Sequence, residues 1–412
     1  MSVALAQPDS PPQSRSREAP TDPMSEIWTS RRRELVASIA QMGPAFAARA
    51  GEVDREAAFP HENYADLREA GFLGLCIPES HGGLGGDFVT YALVSEELGR
   101  HCGSTALTFN MHTATTMLVG QIADDLDMTD EERAVHEERR SELWRGVIAE
   151  GRLHAQPFSE GLAPGETAGF AARAVPVDGG YLLTGRKVFA SLSEVADLHN
   201  VTCMVEGDDR VRFLGVPADA DGVIIEGDWD PLGMRGTNSR NLVFDGAFVP
   251  AENEFLPPGG FDQMATRWPY FYTTLTFTYL GIQRAVLDYT TDYLRGEGGT
   301  SERRDMPQKQ HGWAQMRLAW ERSQALTYRM LGEVGVDPSP EQLRRAWAAT
   351  VTAMETAPEV ASLAVRVCGG RSLLRPSVLE RLYRDARCGA TMLPWSVEVT
   401  MERLGRAGLY DD

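Results

Sequence analysis

The sequence predicts an α+β protein in three successive layers: an N-terminal helical domain, a middle β domain and a C-terminal helical bundle. Three observations predict it. Apolar residues recur at helical spacing from Glu26 to about Glu150, as in Leu35, Ile39 and Met42, then Tyr91, Val94 and Leu98. From about Gly151 to Glu254 the texture switches to short β-branched or aromatic runs separated by Gly, Asp and Pro turns. Beyond Phe261 long helical periods return. The expected divisions are a leader over 1–25, a helical domain over 26–150, a β domain over 151–255 and a helical bundle over 256–412.

The leader is rich in Pro and Ser and has no apolar stretch long enough for a signal core, so it reads as disordered. In the first helical domain, the turn Ile77-Pro-Glu-Ser-His-Gly-Gly-Leu-Gly-Gly86 separates two helices, its glycines permitting positive φ. The stretch from Asp124 to Arg145 carries both charges at i to i+3/i+4 separations and reads as a solvated helical hairpin. Strands are expected around Gly180-Tyr-Leu-Leu, Val211-Arg-Phe-Leu-Gly-Val and Asn241-Leu-Val-Phe. Helices are expected over Trp268–Arg295, Gln308–Leu331, Pro340–Cys368 and Val378–Leu409.

Composition excludes several functions. The 412 residues carry 40 Lys+Arg against 59 Asp+Glu, a net charge of −19 with no basic run, which opposes nucleic acid and anionic membrane surfaces. The most apolar run, Tyr270 to Leu280, falls short of the roughly 20 residues a membrane helix needs. The five cysteines are scattered, without a C-x-x-C pair, so neither a disulfide framework nor a metal site is expected, and a reducing cytoplasm fits best. The G-x-S-x-G, P-loop and H-E-x-x-H patterns are absent. The eight histidines are dispersed, and one such as His112 or His311 reads as a satisfied core or surface group.

Four segments stand out together: Gln156-Pro-Phe-Ser-Glu160; Gly185-Arg-Lys-Val-Phe-Ala-Ser191; Asp230-Pro-Leu-Gly-Met-Arg-Gly-Thr-Asn-Ser239; and Gly369-Gly370 followed by Glu380-Arg381 and Arg384-Asp-Ala-Arg387. In that order, with Ile77-Pro-Glu and Glu96-Glu97-Leu98-Gly99, they resemble the acyl-CoA dehydrogenase superfamily of flavoproteins over about residues 26 to 410. The resemblance implies a β-barrel-like middle domain, a C-terminal four-helix bundle and FAD held between them. It places Phe158, Ser159 and Glu160 at the isoalloxazine and Phe189, Ala190 and Ser191 against the flavin face. Gly369 and Gly370, with Arg366 where a Gln is usual, would pass near the FAD pyrophosphate of a neighbouring subunit, which implies a homodimer or homotetramer. Trp395 and Ser396 fall on the last flavin-binding stretch.

The resemblance also marks a departure. The Glu that serves as base in the ordinary dehydrogenases falls on Leu393, and the alternative Glu position on the first long C-terminal helix falls on Phe271. Neither side chain accepts a proton. Glu398, in the first turn of the last helix, is the remaining weak candidate for a base. Phe271, Tyr272, Thr274 and Thr278 are the expected substrate-pocket residues, with Arg235, Ser239 and Arg240 as contacts for a polar handle. The expected activity is that of a FAD-dependent oxidoreductase acting on an acyl thioester or related acid, with an electron-transfer flavoprotein as electron acceptor. The alternative is a flavin-dependent monooxygenase or oxidase of secondary metabolism, served by a flavin reductase, because loss of the base is expected there. A third reading is a flavin-binding scaffold without turnover.

Overall fold

The computed structural model describes residues 26–161, 169–296, 301–375, 377–392 and 396–410. The leader, Leu393 and Trp395 lie outside the described residues. The chain opens with helices α1 (Ser30–Glu56), α2 (His61–Glu69), α3 (Phe88–His101), α4 (Gly103–Met117) and α5 (Asp130–Arg145). Seven strands follow: β1 (His154–Ala155), β2 (Arg173–Val177), β3 (Gly180–Ala190), β4 (Leu198–Val205), β5 (Asp208–Pro217), β6 (Val223–Glu226) and β7 (Arg240–Pro250). The C-terminal helices are α6 (Gly260–Arg267), α7 (Leu275–Arg295), α8 (Pro307–Leu331), α9 (Pro340–Cys368), α10 (Val378–Cys388) and α11 (Val397–Leu409).

Helix ends follow local chemistry. Thr29, Asp87 and Ser339 cap α1, α3 and α9 by accepting backbone N–H groups of their first turns. The charged stretch from Asp124 does form a helical hairpin, because the preceding helix ends at Asp124 and α5 folds back on it, but the hairpin is not solvated. Helix α5 is entered through a capping box in which Thr129 and Glu132 satisfy each other's backbone N–H groups. Its face His136, Arg140, Leu143 and Trp144 is buried. Sequence spacing missed this because Arg140 is paired to Asp124 and Glu137 and stacked on Trp144, which lets a charged position turn inward. The segment from Val378 also departs from one continuous helix: α10 stops at Cys388, passes into a 3-10 turn at Gly389–Thr391, and α11 restarts after Ser396.

The sheet runs in the order β1-β4-β2-β3-β7-β6, with β5 antiparallel to β4 on its other edge, and curls around its own apolar cluster. Its other face joins the main core through Phe213, which stacks on Phe261 of α6 at 6.1 Å. The N-terminal helices lock onto the bundle where α3 crosses α7. A Cβ on Gly99 would stand 2.4 Å from the Thr278 carbonyl oxygen, and one on Gly281 would stand 2.1 Å from that of Glu96. Only glycine permits that backbone approach. Among the described residues no helix is long and apolar enough to cross a membrane.

Candidate flavin site

A cavity of about 640 Å³ opens where the N-terminal helices, the sheet and the C-terminal bundle meet. From the N-terminal side α4 contributes Leu107, Asn110 and Met111. The segment after β1 contributes Gln156, Phe158 and Ser159, and the end of β3 contributes Phe189 and Ser191. The loop before β7 adds Trp229, Met234, Thr237 and Ser239. The bundle supplies Phe271, Tyr272, Thr274 and Met354, with Arg387, Cys388, Thr391 and Met392 from the end of α10 and the turn after it.

The β3 wall is strained. Pairing between β3 and β7 slips between Lys187 and Ala190, and at this bulge Phe189 adopts φ 53° and is 71% exposed as a residue. An L-residue in that region costs about 1–2 kcal/mol. A large apolar ring held out at such a cost marks a binding surface. Below it, three hydroxyls form a chain: Ser191 to Ser239 at 2.8 Å, and Ser239 to Thr237 at 2.7 Å. Thr237 donates its hydrogen to the Met234 carbonyl at 2.9 Å. Ser239 must then donate to Thr237, and Ser191 to Ser239, which leaves the Ser191 oxygen facing the cavity as an acceptor.

The opposite polarity comes from Gln156, whose Nε2 is buried without any acceptor among the described residues. A buried amide N–H of this kind costs about 1–3 kcal/mol unless a ligand satisfies it. On α4, Asn110 Oδ1 accepts from the Tyr91 hydroxyl at 2.5 Å, with the Thr274 carbonyl 3.1 Å from the same hydroxyl. An apolar slot with one orphaned N–H, one acceptor hydroxyl and a protruding aromatic ring fits a planar heterocycle carrying both carbonyls and N–H groups, as an isoalloxazine does.

Among the described residues no Asp, Glu or His lines the cavity. Burial pushes the Tyr272 hydroxyl and the Cys388 thiol each up to about 12, so neither is a base at neutral pH.

Of the residues singled out by sequence, Phe158, Ser159, Phe189, Ser191, Ser239, Phe271, Tyr272 and Thr274 meet at this cavity. The others lie elsewhere. Glu160 turns away, its carboxylate accepting from Lys187 Nζ at 2.8 Å and from the Ala171 and Ala172 N–H groups at 2.5 and 3.0 Å. Against the upward push of burial, the Lys187 ammonium and these N–H groups hold Glu160 below the usual carboxylate range. Ala190 points into the sheet's apolar cluster. Thr278 bonds Ser95 between α3 and α7 at 3.1 Å. Arg235 donates to the Asp54 carbonyl and pairs with Asp230, and Arg240 pairs with Glu194. Arg366, Gly369 and Gly370 sit at the end of α9 away from the cavity, and Gly369 takes φ 86° facing open space. Ser396 caps α11, and Glu398 is exposed on its first turn. His112 is buried, donating Nε2–H to the Leu73 carbonyl at 2.9 Å.

Sequence reasoning left out Asn110, Gln156, Thr237 and Arg387 as site residues. Gln156, Thr237 and Arg387 stand inside the distinctive segments, so their position was a usable signal. Asn110 lies in an ordinary helical run and carried none.

Helices, a curled sheet and a helical bundle closing on an aromatic, hydroxyl-lined slot define the class: a flavin-dependent oxidoreductase. Family models for the acyl-CoA dehydrogenase N-terminal, middle and C-terminal domains match residues 30–125, 159–247 and 273–393. The chain belongs to the acyl-CoA dehydrogenase family. It is similar to L-evernosamine nitrososynthase of Micromonospora sp., 29% identical over 390 residues, covering 88% of this chain and 87% of the relative. It is also similar to the mitochondrial short-chain specific acyl-CoA dehydrogenase of Mus musculus, 26% identical over 349 residues, covering 82% and 80%. The crystal structure of dibenzothiophene monooxygenase from Paenibacillus sp. A11-2 shares the fold, with a TM-score of 0.77 at 22% identity over 92% of this chain and 98% of that one.

Proposed function

We propose that this protein is a flavin-dependent oxygenase that tailors a small molecule, with FAD as the cofactor. The observation that carries the reading is the cavity's lack of any carboxylate or imidazole among its described lining residues. Leu393, at the position the family uses for its base, is aliphatic. Oxidation of an acyl thioester at its α,β bond needs an acceptor for the α-proton, and 10²–10⁴-fold of rate typically rests on a positioned base. A reaction in which reduced flavin meets dioxygen does not begin with that proton. The similarity to a nitrososynthase and the fold shared with a monooxygenase support the same reading.

When bound, the flavin supplies the electrons for the reaction. The chain's residues do the rest. Gln156 Nε2 would donate to a carbonyl of the flavin, Ser191 would accept from its N–H, and Phe189 would pack against its ring system. Phe271, Tyr272 and Met354 keep water from the slot, while Asn110 and Thr274 offer polar groups to the substrate. Electrons reach the site from a flavin reductase or an electron-transfer flavoprotein. The open backbone at Gly369 and Gly370 would meet the cofactor of a second subunit in a homodimer or homotetramer.

The test mixes flavin-loaded protein anaerobically with short- and medium-chain acyl-CoA esters and follows flavin absorbance. No bleaching is expected, whereas flavin reduced by a reductase and NADH should be reoxidised by oxygen at a rate the protein alters. Stoichiometric anaerobic bleaching by any acyl-CoA would restore the dehydrogenase reading. Protein that stays colourless after incubation with FAD and FMN would remove the flavin reading itself.

A further inference from the structure

The cavity's charge is carried by one residue. Among the described residues Arg387 is the only charged side chain lining it. It lies in the last turn of α10, three residues after Arg384. Arg384 is clamped by Asp54 and Glu380, whereas no described carboxylate stands within ion-pair distance of Arg387.

A cation in a helix's last turn also interacts favourably with the helix dipole, worth about 0.3–1 kcal/mol. That role requires only that the residue sit near the helix end. It does not require the guanidinium to line a cavity or to lack an acidic neighbour. Arg387 is exposed, and beside it the loop Pro231–Gly233, whose Leu232 is 62% exposed, packs on α10 through the Arg384–Leu232 bond, so this end of the cavity is open to solvent. The flavin-facing features, Gln156, Ser191 and Phe189, belong to the β-domain wall, and Arg387 belongs to the bundle.

A guanidinium presents a planar fork of N–H donors that matches two oxygens of a carboxylate or a phosphate. We infer that Arg387 anchors a terminal oxyanion, a carboxylate or a phosphate, borne by the substrate that enters this cavity. The inference rests on the proposed flavin site and names the substrate class that site takes. Its remaining lining, aromatic rings and hydroxyls, accommodates the uncharged body of such a molecule.

The experiment uses flavin-loaded full-length protein and reads binding rather than turnover. Inorganic pyrophosphate forms one arm, and benzoate with its uncharged methyl ester the other. Binding is followed by perturbation of the flavin spectrum and by intrinsic tryptophan fluorescence. Wild-type protein is expected to bind at least one of the two anions in preference to the ester, and the preferred anion tells phosphate from carboxylate. Arg387→Gln should weaken that anion at least tenfold and leave the ester unchanged, and Arg387→Lys should recover part of the loss. Flavin affinity and Tm of both variants should match wild type.

Wild-type protein that binds neither anion, or a glutamine variant that binds them as well as wild type, would overturn the inference. So would a parallel loss of flavin affinity, which would assign Arg387 to the cofactor's own phosphate. Because these readouts precede catalysis, an inference that fails here leaves the oxygenase reading to its own anaerobic test.

Discussion

Arg384 and Arg387 stand three residues apart on one helix and carry the same charge, yet they occupy opposite environments. Arg384 is 6% exposed and gives both ends of its guanidinium to carboxylates, Glu380 on its own helix and Asp54 on α1, with a further bond to the Leu232 carbonyl. Beside it, buried Asp385 accepts from the Met234 N–H at 2.6 Å and so holds the loop that walls the cavity. Arg387 is exposed and faces a slot with no carboxylate among its described lining residues. The first environment is a satisfied polar network and fixes how three parts of the chain meet. The second leaves its hydrogen-bonding groups for something that is not protein. The same division separates Glu160, spent on Lys187, from Gln156, whose amide N–H is unmet among the described residues. In these two pairs the satisfied group holds the fold in place, and the unsatisfied one lines the cavity.

This contrast can be broken most forcefully at Arg384. Arg384→Ala leaves Asp54 and Glu380 without their cation and should destabilise the protein by about 3–5 kcal/mol, seen as a large drop in Tm. A drop as small as that of a surface substitution would show that the network is ornamental.

The next effect is at Phe189. Phe189→Gly releases the left-handed strain, so the flavin-free protein should be no less stable than wild type, to within about 1 kcal/mol, while its flavin affinity falls about tenfold. Equal affinity would remove Phe189 from the site.

A smaller effect concerns pH. Burial raises the Glu96 carboxyl, which accepts from Tyr328 at 2.9 Å, to about 7. A raised folded-state value means that the folded protein holds this proton more tightly than the unfolded chain. Its contribution is therefore full below the unfolded value of about 4.5 and is lost as pH rises towards 7. Across that window wild type should lose stability relative to Glu96→Gln, whose amide oxygen still accepts from Tyr328. Parallel Tm profiles for the two proteins would contradict this. Arg387→Gln should show the smallest change in stability, within about 0.5 kcal/mol by chemical denaturation, because no described carboxylate is left behind unpaired.

Much of the fold was legible. The changes of texture near residues 150 and 255 follow from periods of 3.6 and 2, which any chain must adopt to bury one face of a helix or a strand. Gly99 and Gly281 also carried a readable signal, since a glycine inside a helical pattern demands a close neighbour. Less of the site was legible. Phe158, Ser159, Phe189 and Ser191 could be found through their motif, but the motif did not say where each side chain points. Glu160, one residue from Ser159, turns to the opposite side of the loop, and Thr278, one turn beyond Thr274, faces α3 instead of the cavity. The hairpin expected near Asp124 is present, but its expected solvation failed for a related reason: Arg140 turns inward because its partners come from both sides of the turn.

By itself, the chain's order of residues determined the three layers and the acidic composition. These are properties of composition and periodicity, and neither requires a distance. Only the tertiary structure decided which polar groups are already spent. A hydrogen bond or an ion pair is settled by a few ångströms between residues far apart in sequence, as between Asp54 and Arg384, and that proximity exists only after the domains have closed on one another.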